Sequence, residues 1–208
     1  VFCFQSATTR QSVRFNMEGA VIYPASRYVC VYNKKKNQQT YYEGHDVGVS
    51  CVSVSSDGKL AASTEKTSRP SIHIWDACTT QLICKLPVLH RRGVVTMQFS
   101  RDNRFLVSVG TDGDHSIALW ESPTGEWADG RLLAANKGDV MPTLFASPIE
   151  SNEGFVVASG GRFHQKFWTV QGRCLNSNFA EYSNKQKLGT LLCGASSVTD
   201  VFVSGSTT

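Results

Sequence analysis

The sequence predicts an all-β protein built from repeated four-stranded antiparallel sheets, set side by side like propeller blades, and three observations lead there. First, aromatic residues recur at a near-constant interval: Tyr32, Trp75, Trp120 and Trp168 are 43, 45 and 48 residues apart. Second, each one closes a short apolar alternation and is followed by turn-forming residues. "SIHIWDACTTQ" (Ser71 to Gln81), "SIALWESPTGE" (Ser116 to Glu126) and "HQKFWTVQGR" (His164 to Arg173) share this order, and "RYVCVYNKKKNQQ" (Arg27 to Gln39) has it with tyrosine for tryptophan. Third, no stretch places apolar residues at i, i+3, i+4 and i+7 over three helical turns, whereas runs of five to eight residues rich in β-branched side chains recur throughout.

Within one period the strands follow in order. "GVSCVSVS" (Gly48 to Ser55) leads through the turn "SDGK" to "LAAST", then a longer connection, "SIHIW", the turn "ACTT" and "QLICKLPV". The next period repeats this as "VVTMQFS", "RDNR", "FLVSVGT", "SIALW", "SPTGE" and a run near "RLLAA". Asp-Gly and Asp-Asn suit these hairpin turns because both tolerate the positive φ the turns demand. "VVTMQF" is apolar on both faces, as a strand covered on each side by neighbouring sheets should be. Blades are expected at about residues 12–43, 48–88, 94–135 and 141–180, with a partial blade at 188–208. A seven-bladed ring needs roughly 300 residues at this period, so the 208 present predict an incomplete ring, a fragment of a propeller.

Two histidines mark the same step of successive periods: His45, in "YEGHD", and His90, in "LHRRG", are 45 residues apart. Such repetition predicts a structural role, a buried imidazole hydrogen-bonded to a serine or threonine and through it to the tryptophan. The expected partners are Ser63 or Thr64 for His45, and Ser108 with Asp112 for His90. The network so predicted contains His45, Ser63, Trp75, Asp76, His90, Ser108, Asp112, Trp120 and Trp168. The third tryptophan period has no Gly-His, and the first has Tyr32 for tryptophan, so packing alone is expected to hold those two blades.

Composition narrows function by exclusion. With 41% hydrophobic and 18% charged residues and a net charge of +4, the chain reads as globular, without the basic imbalance of a nucleic-acid binder. Neither a signal peptide nor an apolar run of about 20 residues is present, so the cytosol is the expected compartment, with no membrane partner. The seven cysteines (Cys3, Cys30, Cys51, Cys78, Cys84, Cys174, Cys193) are scattered without a Cys-x-x-Cys pair, which indicates neither a disulfide framework nor a zinc site. There is no Gly-x-Ser-x-Gly, no phosphate-binding glycine loop with lysine, and no His-Glu-x-x-His. No enzyme, cofactor, metal or small-molecule substrate is expected.

The stretches from Gly44-His45 to Trp75-Asp76 and from His90 to Trp120-Glu121 resemble WD40 repeats. Together with "VFCFQS", the long connection in "LAASTEKTSRPSIHIWD", and the phrases "ANKGDVMPTLFASP" and "SGGRFHQKFWTVQG", the chain from Val1 to Ser206 is similar to the echinoderm microtubule-associated protein-like family. That resemblance implies two atypical propellers in tandem, an N-terminal hydrophobic motif, and a cytoskeletal protein located on microtubules or in the ciliary axoneme. The implied partners are tubulin, with its acidic tails, or other axonemal proteins. Two cationic sets could meet such a partner. Lys34, Lys35 and Lys36 are expected in a hairpin loop on one face; Arg69, His90, Arg91, Arg92, Lys137 and Arg162 are expected on the other, diluted by Asp112, Asp114 and Asp139. The alternative is a WD40 adaptor presenting partners within a ubiquitin ligase or transport complex, with nucleic acid a distant third.

Overall fold

A computed structural model describes residues 12–151, 154–180, 189–196 and 202–207. Cys3 and the "VFCFQS" stretch lie outside the described residues, as does part of the expected last blade. The first sheet contains β1 (Arg14–Phe15), β2 (Val21–Ala25), β3 (Tyr28–Asn33) and β4 (Gln38–Tyr42), and the second β5 (Val49–Val54), β6 (Leu60–Glu65), β7 (Ile72–Asp76) and β8 (Leu82–Leu86). The third holds β9 (Val94–Phe99), β10 (Phe105–Gly110), β11 (Ile117–Glu121) and β12 (Arg131–Asn136). The fourth holds β13 (Thr143–Ser151), β14 (Gly154–Gly161), β15 (Gln165–Gln171) and β16 (Cys174–Phe179), followed by the pair β17 (Leu191–Ser196) and β18 (Phe202–Ser206). Each sheet is an antiparallel meander in chain order. The leading strands β5, β9, β13 and β17 touch one another in succession, so the sheets fan about their first strands. This is the all-β, blade-like architecture that the tryptophan period predicts.

The hairpins close by the same local chemistry. In the β5–β6 turn the Ser55 hydroxyl donates to Asp57 Oδ1 at 2.6 Å and accepts from the Leu60 amide at 2.9 Å. In the β9–β10 turn Ser100 does the same with Asp102 and Phe105, at 2.6 and 2.9 Å. Gly58 and Asn103 both take positive φ, 72° and 61°, at matching places, as the Asp-Gly and Asp-Asn pairs predict.

Sheet stacking buries three apolar clusters, one per junction. Trp75 joins Ile22, Val29 and Val31 between the first and second sheets. Trp120 joins Ile72, Ile74 and Leu86 between the second and third, and Trp168 joins Val107, Leu119 and Ala134 between the third and fourth. Each indole thus faces the preceding sheet, because alternate residues of a strand point to opposite faces. Tyr32 departs from this set. It holds the same place in its hairpin, yet it is half-buried and its hydroxyl donates to Asn37 in the exposed turn, since among the described residues no sheet packs against its face. The third and fourth sheets also meet at their outer strands, where Ala135 of β12 pairs in parallel with Cys174 of β16. Among the described cysteines none is in a disulfide; Cys30 and Cys51 are buried in strands and burial raises both thiols, Cys51 to about 11.

Candidate functional site

One end of every sheet is closed by two kinds of connection, the link from an outer strand to the next sheet and the link between second and third strands. The side chains there form relays that differ from sheet to sheet. The third sheet has the longest. Trp120 Nε1 donates to Ser108 Oγ at 2.8 Å, and Ser108 Oγ lies 2.6 Å from His90 Nε2. His90 Nδ1 is 2.8 Å from Ser116 Oγ, whose hydroxyl donates to Asp112 Oδ2 at 2.6 Å while its amide donates to Oδ1. A carboxylate can only accept, so the chain has one direction: Ser116 donates to Asp112, His90 Nδ1–H donates to Ser116, and Ser108 donates to His90 Nε2. That fixes a neutral His90, and burial lowers its pKa to about 4, with Asp112 opposing. Burial would lift the Asp112 carboxyl, but Ser116, the Arg91 amide and His90 outweigh it and hold the group below the usual carboxylate range. Gly110 makes the space. A Cβ there would lie 2.5 Å from Asp112 Oδ2 and 2.8 Å from both His90 Nδ1 and Ser116 Oγ.

The second sheet keeps only the inner half. Trp75 Nε1 donates to Ser63 Oγ at 2.9 Å, and His45 Nε2 is 2.7 Å from the same oxygen. Glu65 stands where Gly110 stands in the third sheet, opposite Val49 as Gly110 is opposite Val94. Its carboxylate accepts from the Asp46 and Val47 amides and comes no closer than 3.9 Å to His45 Nδ1, which has no hydrogen-bond partner. His73 replaces the missing polar neighbour by stacking on His45, centroids 4.3 Å apart. Its own nitrogens meet the Tyr42 hydroxyl at 2.8 Å and the Ser71 hydroxyl at 3.0 Å. Burial first, then nearby positive charge, lowers His45 to about 3 and His73 to about 4. The Thr64 hydroxyl, the alternative partner for His45, is buried and unpartnered.

The fourth sheet has a network of its own, contrary to the expectation that packing alone holds it. Trp168 Nε1 donates to Ser159 Oγ at 2.8 Å. In place of a histidine on that serine, Lys166 donates to Asp139 at 2.8 Å and to the Gly138 carbonyl at 3.2 Å. The lysine also lies 4.8 Å from the Phe179 ring centre and 5.6 Å from that of Trp168. His164 Nδ1 donates to the Arg162 carbonyl, leaving Nε2 to accept from Thr143.

Other predicted residues fall elsewhere. Asp76 is not in the relay: it sits at the opposite end of the sheet, where Oδ1 accepts from the Cys78 and Thr79 amides at 2.9 and 2.7 Å and caps the turn. Indole and carboxylate adjoin because consecutive strand residues face opposite ways, one toward the neighbouring sheet and the other toward the turn. Asn33 caps the β3–β4 turn alike, accepting from the Lys36 amide. His90 is buried and Asp139 is paired with Lys166, so neither belongs to the solvated rim on which both were expected. Arg69, Arg91 and Arg92 are exposed on the relay end, and the Arg92 amide donates to the Ser68 carbonyl, tying two connections together. Lys34, Lys35 and Lys36 project from the β3–β4 turn at the other end, exposed and without an acidic partner among the described residues. Among the described residues no cluster of three metal-ligating side chains occurs, and no helix is long and apolar enough to cross a membrane.

Comparison with known proteins agrees with this geometry. The WD domain, G-beta repeat family matches residues 35–76 and 83–121, the two segments that end on Trp75-Asp76 and Trp120-Glu121. Echinoderm microtubule-associated protein-like 1 of Mus musculus is 24% identical over 204 residues, covering 93% of this chain. Echinoderm microtubule-associated protein-like 2 of Homo sapiens is 22% identical over 93% of it. Cilia- and flagella-associated protein 52 of Chlamydomonas reinhardtii is 29% identical over 72%. This chain spans only 24%, 30% and 24% of those relatives' lengths. Among solved structures, a chain of the mitotic checkpoint complex superposes with a TM-score of 0.73 at 15% identity, covering 98% of this chain and 58% of its own. U3-55K superposes with a TM-score of 0.66 at 17% identity, covering 91% and 56%. These two share the fold.

Proposed function

We propose that this WD40-repeat chain, distantly related to the echinoderm microtubule-associated protein-like family, is a non-enzymatic propeller segment of a cytoskeletal protein that docks on tubulin. The observation that carries the reading is the extent of the similarity: 93% of the chain aligns with proteins named for microtubule association. The physical feature that fits it is the β3–β4 turn, where three adjacent ammonium groups stand exposed and without an acidic partner among the described residues. Acidic tubulin tails are the complementary surface, because a long flexible anion gains most from cations that no intramolecular carboxylate has neutralised. A propeller suits the task in that its hairpins hold such a turn rigid while leaving it exposed.

The test is co-sedimentation of the 208-residue chain with microtubules, against Lys34→Ala/Lys35→Ala/Lys36→Ala, over a salt series. Three exposed contacts at about 0.5–1 kcal/mol each predict a loss of roughly ten-fold or more at low salt, with the difference shrinking as salt screens it. Equal binding by both proteins at every salt concentration removes the lysine turn from the interface. Absence of wild-type binding would remove the tubulin reading and favour a WD40 adaptor instead.

A further inference from the structure

We propose that the groove at the relay end of the third sheet binds an extended acidic peptide segment, a site separate from the lysine turn and independent of the tubulin reading. The groove has a volume of about 660 Å³, and its lining includes Leu89, Arg91, Arg92, Asp112, Asp114 and Lys137. Its charges are unequally spent. Asp112 has both oxygens engaged by Ser116, and Asp114 is paired with Lys137 at 3.3 Å. Arg91 and Arg92 are exposed, and neither guanidinium has an ion-pair partner among the described residues. The cavity therefore offers two adjacent free forks, which match carboxylates in a bidentate way.

The backbone beneath them is held in an unusual shape. Arg92 has φ of 68° and Gly93 of 125°. Positive φ is an outlier for a bulky side chain and persists only where surrounding bonds impose it. Here the Arg92 amide is bound to the Ser68 carbonyl at 3.3 Å and the Gly93 carbonyl to the Thr111 amide at 3.0 Å. These two bonds fix where the arginine side chains start, so little backbone ordering remains to be done when an anion arrives.

Leu89, half-buried on the core between the second and third sheets, gives the groove an apolar ledge beside its cations. That mixture and size suit several residues of a peptide better than a single small anion. Among the described residues no aromatic side chain lines the groove to stack a base, which argues against single-stranded nucleic acid.

The experiment is fluorescence anisotropy with labelled hexaglutamate, hexaglutamine and hexathymidylate on the 208-residue chain, Arg91→Gln/Arg92→Gln, and Lys34→Gln/Lys35→Gln/Lys36→Gln. Hexaglutamate is expected to bind best, to weaken at least ten-fold with the arginine pair replaced, and to weaken clearly less with the lysines replaced than with the arginines. Zero-length carbodiimide coupling of hexaglutamate to the unaltered chain is expected to map to Lys137, a readout that does not depend on any variant folding. The proposal is overturned by unchanged binding in the arginine variant, by an equal loss in the lysine variant, or by equal binding of hexaglutamine. Tighter binding of hexathymidylate, or coupling confined to Lys34–Lys36, overturns it as well.

Discussion

Ser108→Ala removes one oxygen, and the relay geometry sets how much stability goes with it. Ser108 is fully buried, and its hydroxyl accepts from Trp120 Nε1 and lies 2.6 Å from His90 Nε2. With the oxygen gone, the indole N–H is stranded in an apolar junction, at about 1–3 kcal/mol, and His90 loses a donor worth about 1 kcal/mol more. The expected loss is roughly 2–4 kcal/mol, or about 5–15 °C in Tm for a chain of this size. Ser159→Ala is the internal control, because Ser159 receives Trp168 but no histidine; it should cost about 1 kcal/mol less, roughly 1–3 kcal/mol. Urea unfolding followed by circular dichroism measures both. Equal losses, within about 0.5 kcal/mol, would refute the claim that one serine is a relay and the other a single acceptor.

Gly110→Ala should cost about 2–3 kcal/mol in the same assay, since its methyl would enter contact distance of Asp112, His90 and Ser116 at once; a neutral result would mean that the relay yields without loss. Asp139→Asn should destabilise by about 2–3 kcal/mol, because it leaves the Lys166 ammonium, only 11% exposed, without its anion. Lys166→Met should cost less, as it removes the charge while keeping an unbranched chain against Phe179 and Trp168. The reverse order of these two would contradict the ion pair's assignment. Stability should also fall on acidification. His45, His73 and His90 have folded pKa values of about 3, 4 and 4, below the unfolded 6.5, so the unfolded chain binds more protons in that window. Each histidine then withdraws about 1.4 kcal/mol per pH unit as pH drops from 6.5 toward 4. A flat urea midpoint between pH 7 and 5 would show that the imidazoles are not buried neutral.

The blades were legible because a propeller writes its period into the chain: each junction needs one large side chain at one register, and three tryptophans supply it. Ser63 and Ser108 were legible for the same reason, each lying twelve residues before its tryptophan. Ser159 was hidden because the connection between second and third strands is shorter in the fourth sheet, which puts it only nine residues before Trp168. Asp139 was read as a rim carboxylate and Lys166 escaped notice, since an ion pair does the work elsewhere done by histidine and no spacing rule links the two solutions. Gly110 could have been found by asking why a glycine ends "FLVSVG", the second strand after His90. Asp76 was misplaced because a motif that joins two letters in sequence suggests one role, whereas a strand turns neighbours to opposite tasks. Tyr32 marks the limit of the period itself, since the environment of an aromatic residue depends on the sheet facing it as well as on its register.

Zero-length carbodiimide crosslinking of the 208-residue chain to assembled microtubules, read out by peptide mass spectrometry, probes the docking claim most directly, because it joins only ammonium and carboxylate groups already in contact. The account predicts that Lys34, Lys35 or Lys36 is joined to an acidic tubulin tail and that added salt suppresses the product. Crosslinks that avoid this turn, or a yield indifferent to salt, would contradict it.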